Sequence, residues 1–181
     1  MDHRVKTVII DRDGTINHDR DDYVKSVAEW RPIDGSIEAL ARLSQAGYRV
    51  IVATNQSALG RGLFDAATLA AIHDTMCRAV ARLGGRIDAI FFCPHTPEAN
   101  CDCRKPKPGM LLDIARRFNV ALGEVPVVGD AMRDLQAAAA AGAQPVLVLT
   151  GKGKQTQQAG GLPEGTQVYA DLAAFADSLT K

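Results

Sequence analysis

Net charge is absent from this sequence: 21 Lys and Arg stand against 21 Asp and Glu. A chain with no basic surplus does not read as a general nucleic-acid binder. Long apolar runs are absent too. None reaches the roughly 18 residues that a membrane span needs, and the opening MDHRVKTVIID is interrupted by charge too soon to read as a secretory signal. These absences predict a cytoplasmic protein without membrane or nucleic-acid partners. No internal repeat is visible, and cysteine is scarce: Cys77, Cys93, Cys101 and Cys103 are the only four. Three of them crowd together, which in a reducing compartment points to metal rather than disulfides.

What is present is ordinary for a globular chain. Apolar residues make up 46% and charged residues 23%, which excludes disorder of the bulk. The 181 residues predict one domain, 1–181. Strand-like and helix-like segments alternate from end to end. Val5–Ile10 reads as a buried strand, followed by a helix over Gly35–Ala46 that stops at Gly47. Arg49–Ala53 reads as a strand, Asp65 caps a helix running to about Leu83, and Ile87–Phe92 is a third strand. A polar loop over 93–108 precedes a helix at Gly109–Phe118. Val125–Val128, Arg133–Ala141 and Pro145–Leu149 continue as strand, helix and strand. Gly151–Gly165 reads as loose, with an edge strand at Gln167–Tyr169 and a closing helix at Leu172–Leu179 beyond it. The expected architecture is α/β: a Rossmann-like three-layer sandwich around a mostly parallel sheet, with ligands bound beyond the carboxyl ends of the strands. Only one helix separates the second and third strands, so any cap is minimal.

Those strand ends carry chemistry. The first ends in Asp11-Arg12-Asp13-Gly14-Thr15, with two carboxylates two positions apart that can face one side. The second ends in Thr54-Asn55-Gln56-Ser57, the loop after the third carries Arg104, Lys105 and Lys107, and the fourth ends in Gly129-Asp130 with Asp134 close behind. Crowded carboxylates repel one another, and oxygen ligands suit Mg²⁺. A cation, a lysine and hydroxyl donors are what a phosphoryl group in transfer requires.

The set IIDRDGT, VATNQS, Lys105 and VVGD resembles the four motifs of the haloacid dehalogenase-like phosphatases, in order, from Thr7 to about Gly151. More narrowly, DGTIN, TNQSALGRGLF, CPH and CDCRKPKPGM are similar to the heptose-bisphosphate phosphatases of that family, whose subgroup also holds histidinol-phosphate phosphatases. The resemblance implies Asp11 as nucleophile and Asp13 as general acid and base. It implies Thr54, with Asn55, on the phosphoryl group, Lys105 as charge neutraliser, and Arg104 on the substrate. Mg²⁺ would lie on Asp11, Asp130 and the Asp13 carbonyl, while Asp134 would orient metal-bound waters or cap a helix. The implied substrate is a small sugar bisphosphate and the expected state a monomer. Ala131 stands where some relatives have lysine.

Cys93-Pro-His95 and Cys101-Asp-Cys103 offer three sulfurs and an imidazole, a set suited to structural Zn²⁺. The bland alternative is a disulfide with a spare thiol. Zinc would pin the loop next to Arg104 and Lys105. Gly151-Lys-Gly-Lys lacks the Ser or Thr and the glycine spacing of a nucleotide P-loop. His3, His73, Trp30 and Cys77 read as surface or core residues, and His18 and Asn17 as turn or substrate contacts. Two other readings stay open: a histidinol-phosphate phosphatase, and a phosphate-binding module without turnover.

Overall fold

The computed structural model describes residues 5–181, so His3 lies outside them. Its elements are β1 (Thr7–Ile10), α1 (Ser36–Gln45), β2 (Arg49–Asn55), α2 (Ser57–Gly60), α3 (Ala66–Arg82), β3 (Ala89–Cys93), α4 (Gly109–Phe118), β4 (Pro126–Gly129), α5 (Met132–Ala140), β5 (Gln144–Val148), α6 (Gly153–Ala159), β6 (Gln167–Tyr169) and α7 (Leu172–Thr180). Asp65 caps α3 as expected, its side chain accepting from the Thr68 amide. β2 extends beyond its expected end to Asn55, and β3 starts at Ala89 rather than Ile87.

The strands form one six-stranded sheet in the order β3-β2-β1-β4-β5-β6. Every neighbouring pair is parallel, so the expected fold class holds, with the sheet wholly rather than mostly parallel. Period-two alternation divides the core in two. Val8, Ile10, Val50 and Val52 pack with α1, α3 and α7 on one face. Ile9, Ile51 and Ala53 meet Met110, Leu111 and Ile114 of α4 and the small Ala137 and Ala138 of α5 on the other. Apolar strands buried on both faces are what a parallel sheet requires. Strand order reverses between β1 and β4, which opens a crevice beyond their carboxyl ends.

Two expectations need correction. Gly151–Gly165 contains α6 rather than loose chain. Its helix is anchored from outside by Asp130: Thr156 Oγ1 donates to the Asp130 carbonyl at 2.8 Å, and the amide of the N-cap Lys152 donates to Asp130 Oδ2 at 2.8 Å. A segment this polar shows no amphipathic period to read, and tertiary contacts decide its conformation. Between β2 and β3 there are two helices, not one, because the single turn α2 precedes α3.

Candidate active site

Lys105 lies at the centre of the crevice and is 2% exposed. Its ammonium donates to Asp11 Oδ1 at 2.9 Å and to the Ala53 carbonyl at 2.8 Å, and pairs with Asp134 Oδ1 at 2.7 Å. Two hydrogen bonds and a close ion pair thus surround the ammonium, the condition under which a buried charge is tolerated. Burial alone would lower the Lys105 pKa, but Asp11 and Asp134 outweigh it and hold the amine protonated. Burial and the nearby Asp134 push the Asp11 carboxyl up to about 6, against the pull of Lys105 and Arg133. Asp134 also accepts from the Ala131 amide at 3.0 Å, so it caps α5 and anchors Lys105 at once.

Asp130 follows β4 and is buried. Its Oδ2 accepts from the Lys152 amide at 2.8 Å, whereas its buried Oδ1 has no hydrogen-bond partner. Burial, then Asp11 and Asp134, push its carboxyl up to about 8. Asp11, Asp130 and Asp134 each present an oxygen within 4.8 Å of the others. An all-oxygen, anionic donor set with an orphaned buried carboxylate oxygen fits a hard divalent cation such as Mg²⁺. Gly14 keeps this space open. It sits at φ 83°, and a Cβ there would fall 2.1 Å from Asp130 Oδ2.

Asp13 does not share the Asp11 cluster but turns toward other partners. Its Oδ1 accepts from Arg12 Nη2 at 2.9 Å and Asn17 Nδ2 at 2.9 Å, and its Oδ2 from Gln56 Nε2 at 2.9 Å. Burial raises the Asp13 pKa, but Arg12, Asn17 and Gln56 outweigh it and lower the net value. Gln56 Nε2 also donates to Thr54 Oγ1 at 3.0 Å, which ties the Thr54 hydroxyl to Asp13. Asn55 grips the backbone of Lys105 in both directions, donating to its carbonyl at 3.0 Å and accepting from its amide at 3.1 Å. Arg104 is half-buried at the rim, its Nη1 donating to the His95 carbonyl at 3.4 Å.

The end of β3 and the loop after it bring Cys93, His95, Cys101 and Cys103 together. The sulfurs and His95 Nδ1 stand 3.3 to 3.6 Å apart. A tetrahedron around zinc with Zn–S of about 2.3 Å has edges of about 3.5–3.8 Å. A disulfide would need about 2.0 Å, and all three thiols are free. The donor set fits zinc.

Some expected residues prove peripheral: His18 is exposed, and Cys77 is half-buried on α3 rather than in the core. Trp30 is packed in the core as expected, and Asn17 is buried against Asp13. In the sequence Arg12 and Gln56 have no role beyond their place in the strand-end motifs and His73 reads as a surface or core residue, whereas the structure brings all three around Asp13. The available signal was an arginine between two acids on a buried strand end, a charge that must find partners.

A phosphoryl-transfer constellation on an α/β sheet of this order defines a haloacid dehalogenase-like hydrolase. A family model described as HAD-hydrolase-like matches residues 102–175. The chain is 60% identical over 175 residues to a D-glycero-β-D-manno-heptose-1,7-bisphosphate 7-phosphatase of Bordetella bronchiseptica, covering 97% of this chain and 98% of that protein. A Pseudomonas putida protein of the same name is 53% identical, over 97% and 99% of the two chains. A crystal structure of the D,D-heptose 1,7-bisphosphate phosphatase from B. bronchiseptica, complexed with magnesium and phosphate, superimposes with a TM-score of 0.95 at 60% identity, over 96% and 97%. The chain belongs to the heptose-1,7-bisphosphate 7-phosphatase family of these hydrolases.

Proposed function

We propose that this protein is a cytoplasmic, Mg²⁺-dependent phosphatase that removes the 7-phosphate of D-glycero-β-D-manno-heptose 1,7-bisphosphate, with 1–181 as one catalytic domain acting as a monomer. The product would feed nucleotide-activated heptose, as ADP- or GDP-heptose, toward lipopolysaccharide. The observation that carries the reading is Lys105 bridging Asp11 and Asp134 beside the orphaned Asp130 oxygen. The named relatives supply the substrate.

In the first step an Asp11 oxygen bonds to phosphorus as the bond from phosphorus to the sugar oxygen breaks. Asp13 passes its proton to that departing oxygen. In the second, Asp13 takes a proton from water as the water oxygen bonds to phosphorus, the Asp11–phosphorus bond breaks, and phosphate leaves. The donors around Asp13 favour its ionised form, ready for the water. The negative charge of an arriving phosphoryl group raises its pKa and lets it carry the proton needed first. Lys105 and the Thr54 hydroxyl hold phosphoryl oxygens, Asn55 keeps Lys105 in place, and Arg104 contacts the substrate from the rim. Asp11, Asp130 and the Asp13 carbonyl hold Mg²⁺, which when bound adds positive charge at the phosphoryl group. Zn²⁺ on Cys93, His95, Cys101 and Cys103 orders the loop that carries Arg104 and Lys105.

The test is phosphate release with Mg²⁺ from both anomers of the heptose bisphosphate, histidinol phosphate, fructose 1,6-bisphosphate and a 3′-phosphorylated oligonucleotide. The β anomer should have the highest kcat/KM; preference for histidinol phosphate would overturn the substrate and keep the chemistry. Asp11→Asn should lower kcat at least about a thousandfold with an unchanged circular dichroism spectrum. Appreciable residual turnover would remove the nucleophile assignment.

A further inference from the structure

The charged side chain of Arg12 is 0% exposed, an expensive placement for a guanidinium. It lies in the nucleophile loop yet makes no contact with Asp11 among the bonds described. Its Nε donates to Asp13 Oδ1 at 3.1 Å, and its Nη2 to Oδ1 at 2.9 Å and Oδ2 at 3.1 Å. The remaining arm, Nη1, lies 3.1 Å from Nε2 of His73 on α3, sixty-one positions along the chain.

Arginine can only donate, so His73 Nε2 is the acceptor and the ring carries its proton on Nδ1. Burial and the Arg12 charge lower the His73 pKa to about 4, in keeping with a neutral ring. The ring is itself held, 8% exposed and inclined at 57° to Phe92 with centroids 6.2 Å apart. A guanidinium is planar, so fixing one arm fixes the plane of the other two. That plane, with Asn17 and Gln56, sets where the Asp13 carboxylate points.

We propose that His73 is a positioning residue for proton transfer, acting through Arg12 to aim Asp13 at the departing oxygen. The inference rests on the reading of Asp13 as the general acid. A misaimed acid should matter most for a leaving group that needs a proton, such as a sugar alkoxide, and least for one that leaves as a stable phenolate. Positioned general acids contribute about 10²–10⁴-fold.

The experiment compares kcat/KM, which reports the step that forms the aspartyl-phosphate, for the heptose bisphosphate and for p-nitrophenyl phosphate, both with Mg²⁺. His73→Met replaces the ring nitrogen with a thioether sulfur, a weak acceptor, at similar volume, and His73→Gln restores a strong one. The sugar-to-aryl ratio should fall at least about tenfold in His73→Met and recover in His73→Gln. If His73→Met does not fold, Arg12→Lys, which keeps the charge and loses the planar fork, should show the same fall. Asp13→Asn is the control. If it lowers the ratio while the His73 and Arg12 variants do not, the inference is overturned and the Asp13 reading stands. A parallel fall on both substrates marks a merely structural role and also overturns it. An unchanged ratio in Asp13→Asn itself removes the general-acid reading, and the inference with it.

Discussion

Lys105 and Arg12 are two buried cations with opposite designs. Lys105 lies between the Asp11 and Asp134 carboxylates with one donor on the Ala53 carbonyl, and so acts as a compact charge among anions. Arg12 spreads its donors over one carboxylate and one imidazole, and so acts as a bracket. Removing either partner of such a buried pair leaves an uncompensated charge, at about 3–5 kcal/mol. His73 gives this arrangement a pH signature. Its folded pKa is lowered from 6.5 to about 4 by burial and by Arg12. Above 6.5 the ring is neutral folded or unfolded, and stability is independent of it. Between 6.5 and about 4 only the unfolded chain binds the proton, so stability falls as pH falls, by up to about 3 kcal/mol. Urea denaturation of the protein and of His73→Gln across this window measures it: the wild-type curve should decline relative to the variant. Parallel curves would show that His73 is not held neutral.

Among the elements, the loop between β3 and α4 makes the greatest demand on order, because it delivers Lys105 into the core without regular structure for most of its length. Two devices hold it: the cysteine and histidine cluster at its base and the two-way grip of Asn55 on the Lys105 backbone. A zinc chelator that leaves Mg²⁺ in place should therefore abolish most turnover and open the loop to protease cleavage near 97–103, and added Zn²⁺ should reverse both. Full activity in protein shown by metal analysis to be zinc-free would remove the structural role. These devices differ in how legible they are. Cys93, His95, Cys101 and Cys103 stand close in sequence, so their chemistry shows in the spacing. Asp11, Thr54 and Asp130 end strands, where an apolar run breaks into a polar residue. Asp13 shows as a carboxylate, but its direction does not, because Arg12, Asn17 and Gln56 decide it. His73 meets Arg12 only through packing of α3 on the sheet, and α6 is anchored by Thr156 and Lys152 on Asp130. Partners remote in sequence leave no local pattern.

At the scale of the whole molecule, no helix among the described residues is long and apolar enough to cross a membrane. The site gathers side chains from the ends of β1, β2 and β4 and from the loop after β3, so ligand and fold are thermodynamically linked. A cation that binds only the folded chain at a hundred times its Kd adds about 2.7 kcal/mol. For a protein of this size that raises Tm by about 5–10 °C. Mg²⁺ should produce such a shift in a thermal melt, and Asp130→Asn should remove most of it. An undiminished shift in that variant would place the cation elsewhere.

The strand order also has a consequence for synthesis. β1 gains its first neighbour early, through Thr7↔Arg49, but its other edge waits for Val127 and Val128 of β4. A nascent chain therefore carries an open, apolar strand edge until more than two thirds of it has been made. Pairings this distant in sequence are slow to close, and open edges invite association between chains. The hydrolytic centre and the last central seam of the sheet come into being together, when Asp130 arrives beside Asp11. Incomplete chains would thus be both inactive and adhesive, and this is where a cell's folding machinery would meet the protein.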